Sequence, residues 1–239
     1  MEACVAVEQL RARVEAIRTR IARACERVGR DPSEVLLIAV GKTFPVEALR
    51  RAIAAGVEHL GENRVQEAET KIREIGHEGV KWHLIGHLQS NKARRAVRLF
   101  DYIHSLDSAE LVERLERLCR EEGRRELPVL VQLNLAGEET KSGASEAELS
   151  RIIQALSRCE RVRPVGLMTL PPFFADAQQA RPYFRRLRQL RDRLRADGLF
   201  GDGRGELSMG MSHDFEVAIE EGATMVRVGT AIFGARLSE

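Results

Sequence analysis

Residues 35–61 read VLLIAVGKTFPVEALRRAIAAGVEHLG, an apolar strand pattern, an amphipathic helix pattern and the start of a second strand. The run VLLIAV has the length and the branched side chains of a buried strand, and residues 46–55 space their apolar side chains as a helix does. A strand, a helix and a strand in this order pair in parallel through a crossover. The stretch therefore predicts a βαβ unit.

The same unit recurs along the whole chain. Strand patterns lie at 35–40, 57–61, 81–86, 102–106, 127–135, 163–168, 206–210 and 225–229. Helix patterns lie at 7–29, 46–55, 64–75, 90–99, 108–122, 145–158, 176–196 and 213–221. An open doubly wound sheet is the alternative, but no G-x-G-x-x-G sequence follows the first strand. We predict an α/β fold in which residues 1–239 form one domain, a single (β/α)8 TIM barrel with an extra N-terminal helix.

Composition excludes several classes of protein. The 239 residues are 44% apolar and 31% charged, which is typical of a folded globular chain. Charges recur every few residues near the N-terminus, and no apolar stretch is long enough to cross a membrane, so we expect a cytoplasmic protein with no membrane partner. The chain has four cysteines but no C-x-x-C pair, which argues against a metal site or a disulfide framework.

Arginine is concentrated in residues 181–195, RPYFRRLRQLRDRLR, although the net charge is only +2. Such a segment is compatible with a nucleic-acid surface. No aromatic-and-glycine RNA signature accompanies it, and acidic residues elsewhere balance the charge. We therefore interpret it as a solvated helix face and expect no nucleic-acid partner.

Lys42 is the first candidate for chemistry. Leu36, Ile38 and Val40 share one face of the first strand, and Lys42 continues that series at the carboxyl end, where barrels carry their active sites. Desolvation there disfavours the ammonium form and favours the neutral amine, which can attack an aldehyde. Position alone leaves open a lysine that simply reaches solvent.

A candidate phosphate site follows the seventh and eighth strands. Barrels commonly bind phosphate in these two loops, where Ser208 and the pair Gly229 and Thr230 lie. Glycine permits close backbone approach and the hydroxyls can donate hydrogen bonds, although all three are also ordinary turn residues. An amine on one side of the barrel mouth and a phosphate site on the other fit pyridoxal 5′-phosphate. His83 and His87 have the i,i+4 spacing of two metal ligands on a helix, but they lie on a predicted strand and its loop. We therefore predict no metal site.

Arg227 is a candidate contact for the cofactor ring. It lies two residues before Gly229 and shares its face of the eighth strand. A guanidinium only donates hydrogen bonds, so beside the pyridine nitrogen it would keep that nitrogen unprotonated and weaken the cofactor as an electron sink. A structural ion pair is the alternative.

Six motifs then support a resemblance to a known family. They are AVGKTFP (39–45), GENRVQE (61–67), WHLIGHLQSNKAR (82–94), GLMTLP (166–171), LSMGMSHDFEVAI (207–219) and VRVGTAIFG (226–234). In this order they resemble the pyridoxal phosphate homeostasis protein family, whose fold is that of the alanine racemase N-terminal domain. The resemblance implies a Schiff base on Lys42, phosphate binding by Ser208, Gly229 and Thr230, a pyridine contact from Arg227, and Asn63 near the ring.

Two positions depart from the family pattern. Gly41 stands where serine is common, and Phe44 stands where a second lysine is frequent. If that second lysine helps to pass the cofactor in or out, this chain lacks it.

The resemblance implies a role in intracellular vitamin B6 balance, with delivery of the cofactor to apo-enzymes as a hypothesis. A racemase needs a second base on the opposite face of the cofactor, and the only tyrosines are Tyr102, at the start of a strand, and Tyr183, on the arginine-rich helix. The chain also ends ten residues after Gly229, so we expect no second domain. We predict a monomeric carrier with no catalytic residue, and keep a PLP-dependent amino-acid racemase as the alternative.

Overall fold

The computed structural model describes residues 2–138 and 142–234, with side chains from residue 7 onward. Within them, eight parallel strands close into a barrel in sequence order. The strands are β1 (Leu36–Val40), β2 (His59–Glu62), β3 (Lys81–Leu84), β4 (Tyr102–Leu106), β5 (Leu127–Leu133), β6 (Val162–Thr169), β7 (Glu206–Met211) and β8 (Met225–Val228). The predicted (β/α)8 barrel is confirmed, and the strand ends differ from the prediction by at most two residues.

Helices follow the strands as predicted. They are α1 (Glu2–Glu26), α2 (Val46–Ala54), α3 (Val65–Ile75), α4 (Ala93–Leu99), α5 (Ala109–Glu121), α6 (Glu146–Leu156), α7 (Arg181–Ala196), α8 (Phe215–Glu220) and α9 (Thr230–Phe233). The predicted helices at 90–99 and 176–196 each begin with a 3₁₀ turn, at Ser90–Lys92 and Ala177–Ala180. Helix α9 was not predicted, because four residues are too few to show helical periodicity.

Two apolar regions hold the barrel together. The larger lies between strands and helices and contains fully buried aromatic side chains such as Trp82, Phe184 and Phe215. The smaller lies inside the barrel and consists of Ile38, Leu130, Met168 and Met225. Leu36 packs against this interior cluster, so the inward face of β1 is the one that the alternation of apolar residues predicted.

The extra N-terminal helix packs against the first helix of the barrel layer and its last two. Its apolar face, which includes the fully buried Val14, contacts α2, α8 and α9. Ion pairs from Arg20 to Glu216 and from Arg27 to Glu220 join α1 to α8. Helix α1 therefore packs on the outer layer of the barrel, against α2, α8 and α9.

Much of the arginine-rich helix α7 is engaged within the protein. Glu221, almost completely buried, pairs with Arg181, Arg185 and Arg188, and Arg186 pairs with Glu146. These contacts give the arginines a structural role beyond that of a solvated face. Within the described residues, no helix is both long and apolar enough to cross a membrane.

Candidate functional site

The loop that carries Lys42 follows β1 at the carboxyl end of the barrel. Lys42 is partly buried and lies in a turn two residues beyond the end of β1. Thr43, the next residue, has a φ of 67°, in the left-handed region that a β-branched residue rarely adopts. A conformation of this kind costs about 1–3 kcal/mol and persists only where the surroundings impose it.

An ionic cluster of the buried Lys71 and Glu62 with the partly buried Glu67 supports this loop. Lys71 Nζ donates hydrogen bonds to Glu62 Oε1 (2.8 Å), to Glu67 Oε1 (2.7 Å) and to the carbonyl oxygen of Gly41 (2.9 Å). Glu67 Oε1 in turn accepts a 2.6 Å hydrogen bond from the backbone N–H of Thr43. The Lys71 cluster thus holds the backbone on both sides of Lys42.

The cluster contains two carboxylates with different environments. Glu62 has no exposed surface, and burial raises its pKa to about 7, although Lys71 acts to lower it. Glu62 Oε2 has no hydrogen-bond partner within the described residues. Burial also acts to raise the pKa of Glu67, but the hydrogen bonds from Lys71 and Thr43 lower it overall. Glu62 is therefore the group in this cluster that can change charge near neutral pH.

Glu62 also limits the size of the side chain that position 41 can hold. A Cβ on Gly41 would lie 2.9 Å from Glu62 Oε1 and 3.1 Å from the methyl groups of Leu49. The carboxylate and Leu49 occupy the position that a larger residue would need. Gly41 is thus matched to the way that Glu62 packs in this chain.

Ser208 and Arg227 lie together inside the barrel. Arg227 is the cross-strand partner of Ile38, and Ser208 that of Met168, which places both on the inward face. Arg227 donates to Ser208 Oγ at 2.6 Å and to the carbonyl oxygen of Thr169 at 3.0 Å. Burial lowers the pKa of Arg227 to about 10, while Asp214 acts to raise it. The guanidinium is thus a buried cation whose hydrogen-bond acceptors are neutral oxygens.

Three histidines extend this arrangement across the barrel. His104 Nδ1 lies 2.9 Å from Ser208 Oγ, His104 Nε2 lies 2.9 Å from His83 Nδ1, and His83 Nε2 lies 2.9 Å from His59 Nδ1. Burial, together with the nearby charge of Arg227, lowers the pKa of His104 to about 3. Burial and the flanking histidines lower the pKa of His83 well below its ordinary value. Both rings are therefore neutral at physiological pH.

Ser212, four residues after Ser208, lies beside the end of β8. The backbone N–H of Gly229 donates to Ser212 Oγ at 3.3 Å, and Thr230 follows as an exposed residue. Asp214 Oδ1 accepts a 2.6 Å hydrogen bond from the N–H of Met211, which fixes the turn between β7 and α8. The serine next to Gly229 is thus Ser212, whereas Ser208 is engaged by Arg227 and His104.

The ends of β1 and β8 are adjacent. A Cβ placed on Gly229 would lie 3.5 Å from Val40 Cβ, an ordinary contact distance. The rings of Phe44 and Phe233 stack with centroids 4.8 Å apart, joining the Lys42 loop to α9. The structure thus brings the loops of Lys42 and of Gly229 and Thr230 together on neighbouring strands.

Asn63 lies at the end of β2, at the same mouth. It is partly buried, and its backbone approaches Gly86 so closely that a Cβ there would lie 2.3 Å from the carbonyl oxygen of Asn63. The two tyrosines lie elsewhere: Tyr102 begins β4 and stacks on His83, and Tyr183 lies in the first turn of α7 and stacks on Phe174.

Sequence reasoning missed the residues that support the candidate site. Lys71, Glu62 and Glu67 lie on a helix and a strand end, where they are indistinguishable from surface charges until the fold is known. His59, His83 and His104 stand on three different strands. The sequence did contain an indication of Ser212, because the motif SMGMS (208–212) ends in a second serine. No group of three or more His, Cys, Asp or Glu residues able to hold a metal occurs in the part of the chain that the structure describes.

Comparison with known proteins places the chain in a class. A family model described as the alanine racemase N-terminal domain matches residues 12–237. Alanine racemase from Clostridium difficile is 19% identical and superposes with a TM-score of 0.67, over 97% of this chain and 58% of the racemase. That likeness shows the shared barrel.

Relatives of higher identity narrow the class to one family. A pyridoxal phosphate homeostasis protein from Aquifex aeolicus is 41% identical over 94% of this chain and 97% of its own length. The one from Escherichia coli is 42% identical over 92% of this chain and 94% of its own length. The structure of PipY from Synechococcus elongatus with PLP bound is 40% identical, covers 94% of this chain and 100% of that one, and has a TM-score of 0.81. The chain belongs to the pyridoxal phosphate homeostasis protein family.

Proposed function

We propose that this chain binds pyridoxal 5′-phosphate through a Schiff base on Lys42 and holds the cofactor for intracellular vitamin B6 homeostasis. The observation that carries the proposal is the meeting of the β1 and β8 ends. An amine-bearing loop, held by the Lys71 cluster, lies there beside hydroxyl and N–H groups at Ser212, Gly229 and Thr230. The PLP-bound structure of the PipY relative supports the choice of cofactor.

The phosphate would lie at Gly229. Nothing in the described packing requires glycine there, because its φ is not in the left-handed region and a Cβ would make only ordinary contacts with Val40. An unfilled Cβ position at a strand end favours close approach of a ligand to the backbone. Thr230 can add a hydroxyl donor, and Ser212 is better placed than Ser208 to add another.

Arg227 would face the ring nitrogen, with Ser208 supporting it. A guanidinium only donates hydrogen bonds, so the pyridine nitrogen beside it would accept one, stay unprotonated and leave the ring a weak electron sink. The two hydrogen-bond acceptors of Arg227, Ser208 Oγ and the Thr169 carbonyl oxygen, are neutral, and an anionic cofactor would compensate the buried charge. These properties suit holding the cofactor better than turning over amino acids on it. Asn63, at the same mouth, stays a predicted ring contact.

The carrier function is favoured over the racemase alternative. The relatives of about 40% identity are named as homeostasis proteins, whereas the racemases share only the barrel. Tyr102 begins β4, at the opposite end of that strand from the mouth, and Tyr183 stacks on Phe174. We further propose that the protein is a cytoplasmic monomer whose partners are apo-enzymes that receive the cofactor, with no nucleic acid or membrane partner.

Absorbance and covalent trapping test the binding proposal. Wild-type protein mixed with pyridoxal 5′-phosphate is expected to show a visible Schiff-base band, and borohydride reduction followed by peptide mass spectrometry is expected to locate the adduct on Lys42. Lys42→Ala should lose both signals. Lys81→Ala is the matched control, because Lys81 is exposed at the opposite end of the barrel, and it should keep both signals. A wild-type protein that never shows the band would contradict the proposal.

Two further assays separate carrier from enzyme. Loaded wild-type protein should activate an apo-enzyme in the presence of a scavenger that removes free cofactor, and Lys42→Ala protein treated with the cofactor in the same way should not. Chiral analysis of alanine and serine after incubation with loaded protein should show no change in enantiomer ratio. Sustained racemisation would establish the racemase alternative.

A further inference from the structure

A continuous chain of hydrogen bonds leads from Arg227 to the opposite end of the barrel. It passes through Ser208, His104 and His83 and ends at His59, with 2.6 Å for the first step and 2.9 Å for each later one. Ser208, His83 and His104 have no exposed surface, and His59 is half-buried at the start of β2. A buried polar chain of this length is costly unless every member is paired.

The chemistry of these groups fixes the direction in which each hydrogen bond of the series is donated. The arginine can only donate, so Ser208 Oγ accepts from it and the serine proton is free to go to His104 Nδ1. His104 then carries its proton on Nε2 and donates to His83 Nδ1, and His83 repeats this toward His59. In the reverse direction Ser208 Oγ would accept from both Arg227 and His104, and the buried serine proton would lose His104 as its acceptor.

Each neutral imidazole therefore has one tautomer, set by its neighbour. A charged His104 is excluded because the ring is buried beside the Arg227 guanidinium. The stack of Tyr102 on His83, with centroids 4.7 Å apart and planes within 5°, fixes the orientation of the middle ring. Ser208 is thereby held with its lone pair toward Arg227.

We propose that His104 is a positioning residue for Arg227, acting through Ser208, and that His83 and His59 fix its tautomer. The proposal rests on the proposed function, in which Arg227 meets the cofactor ring. In this proposal, three histidines outside the candidate cofactor site affect how tightly the cofactor ring is held and how the absorbance of the cofactor responds to pH.

Three substitutions at His104 separate its two nitrogens. Asn places its Oδ1 where Nδ1 was, so it can accept from Ser208 but cannot reach His83. Gln places its amide nitrogen near the Nε2 position, so it keeps the link to His83 but loses the acceptor for Ser208. Phe keeps the ring shape and loses both. His87→Phe is the control, because His87 is exposed and pairs with Asp107, and neither residue belongs to the hydrogen-bonded series from Arg227 to His59.

Cofactor affinity and the visible spectrum are the readouts. His104→Phe and His104→Gln should bind pyridoxal 5′-phosphate about tenfold more weakly and shift the absorbance maximum or its pH midpoint, since one hydrogen bond to a buried group is lost. His104→Asn should stay within about twofold of wild type. His104→Phe in a Ser208→Ala background should add no further loss. If His104→Phe does not fold, the difference in cofactor affinity between His104→Asn and His104→Gln tests the proposal.

A measurement without cofactor keeps this inference distinct from the proposed function. Nitrogen-15 NMR of the unloaded protein should show His104 protonated on Nε2 and unprotonated on Nδ1, and Ser208→Ala should shift the Nδ1 signal. A protonated Nδ1 would overturn the inference, and so would a folded His104→Asn protein that loses as much affinity as His104→Phe. Failure of the wild type to bind cofactor would instead count against the proposed function.

Discussion

Lys71 Nζ donates a 2.9 Å hydrogen bond to the carbonyl oxygen of Gly41, the residue immediately before Lys42. The same ammonium group bonds Glu67, whose carboxylate accepts from the backbone N–H of Thr43, immediately after Lys42. One buried side chain therefore controls the backbone on both sides of the proposed Schiff-base lysine. Its effect on Lys42 is indirect, through the geometry of the loop.

Lys71→Met should destabilise the protein and loosen the Lys42 loop. The substitution leaves Glu62 buried without its cation, and removing one partner of a buried ion pair costs about 3–5 kcal/mol. We expect a fall of this size in the free energy of unfolding, measured in urea, and weaker binding of pyridoxal 5′-phosphate. Lys81→Met removes the exposed pair with Asp101 and should change stability by about 0–1 kcal/mol. Equal effects of the two variants would contradict the structural role of Lys71.

Stability should depend on pH through Glu62. Folding raises the pKa of this carboxyl from 4.5 to about 7, so the folded state holds its proton more tightly than the unfolded state. Its contribution is fully present below pH 4.5, is lost as pH rises toward 7, and is constant above that; the whole change is up to about 3 kcal/mol. Urea unfolding at several pH values should show this decline in wild type relative to Glu62→Gln, which does not titrate. Parallel pH profiles for the two proteins would contradict the prediction.

Gly229→Ala should weaken cofactor binding without unfolding the protein. Its Cβ would meet Val40 at 3.5 Å and needs no positive φ, so the free energy of unfolding should change by about 0.5 kcal/mol or less. The added methyl group would occupy the surface that the phosphate approaches, so affinity for pyridoxal 5′-phosphate should fall while pyridoxal, which lacks the phosphate, is affected less. Unchanged affinity for both ligands would place the phosphate elsewhere.

Phe44→Ala should speed the release of the cofactor. The stack of Phe44 on Phe233 joins the Lys42 loop to α9, and an aromatic pair contributes about 0.5–1.5 kcal/mol beyond the apolar area it buries. Stopped-flow transfer to an excess of scavenger should give a higher release rate for the variant. Phe44→Leu, which keeps apolar bulk at this position, should lie between the variant and wild type. An unchanged release rate in Phe44→Ala would exclude a link between this stack and cofactor retention.

Sequence patterns identified the residues that stand at strand ends. The period-two alternation of β1 pointed to Lys42, and the position after the eighth strand pointed to Gly229 and Thr230, because these features are local along the chain. Asn63 was indicated by the family motif alone. Ser208 shows the limit of that reasoning. Its position on β7 was predicted, yet its hydroxyl is engaged by His104 and Arg227, which lie far away in sequence.

The sequence by itself determined the barrel, the order of its units and the strand ends that carry the candidate cofactor site, since hydrophobic periodicity and turn residues act over short stretches. Only the tertiary structure decided that Lys71 holds the Lys42 loop, that Ser212 meets Gly229, and that His59, His83 and His104 form one chain. Barrel closure brings β2, β3, β4, β7 and β8 around a common interior. Polar groups so placed become hydrogen-bond partners across long sequence distances, which no local pattern encodes.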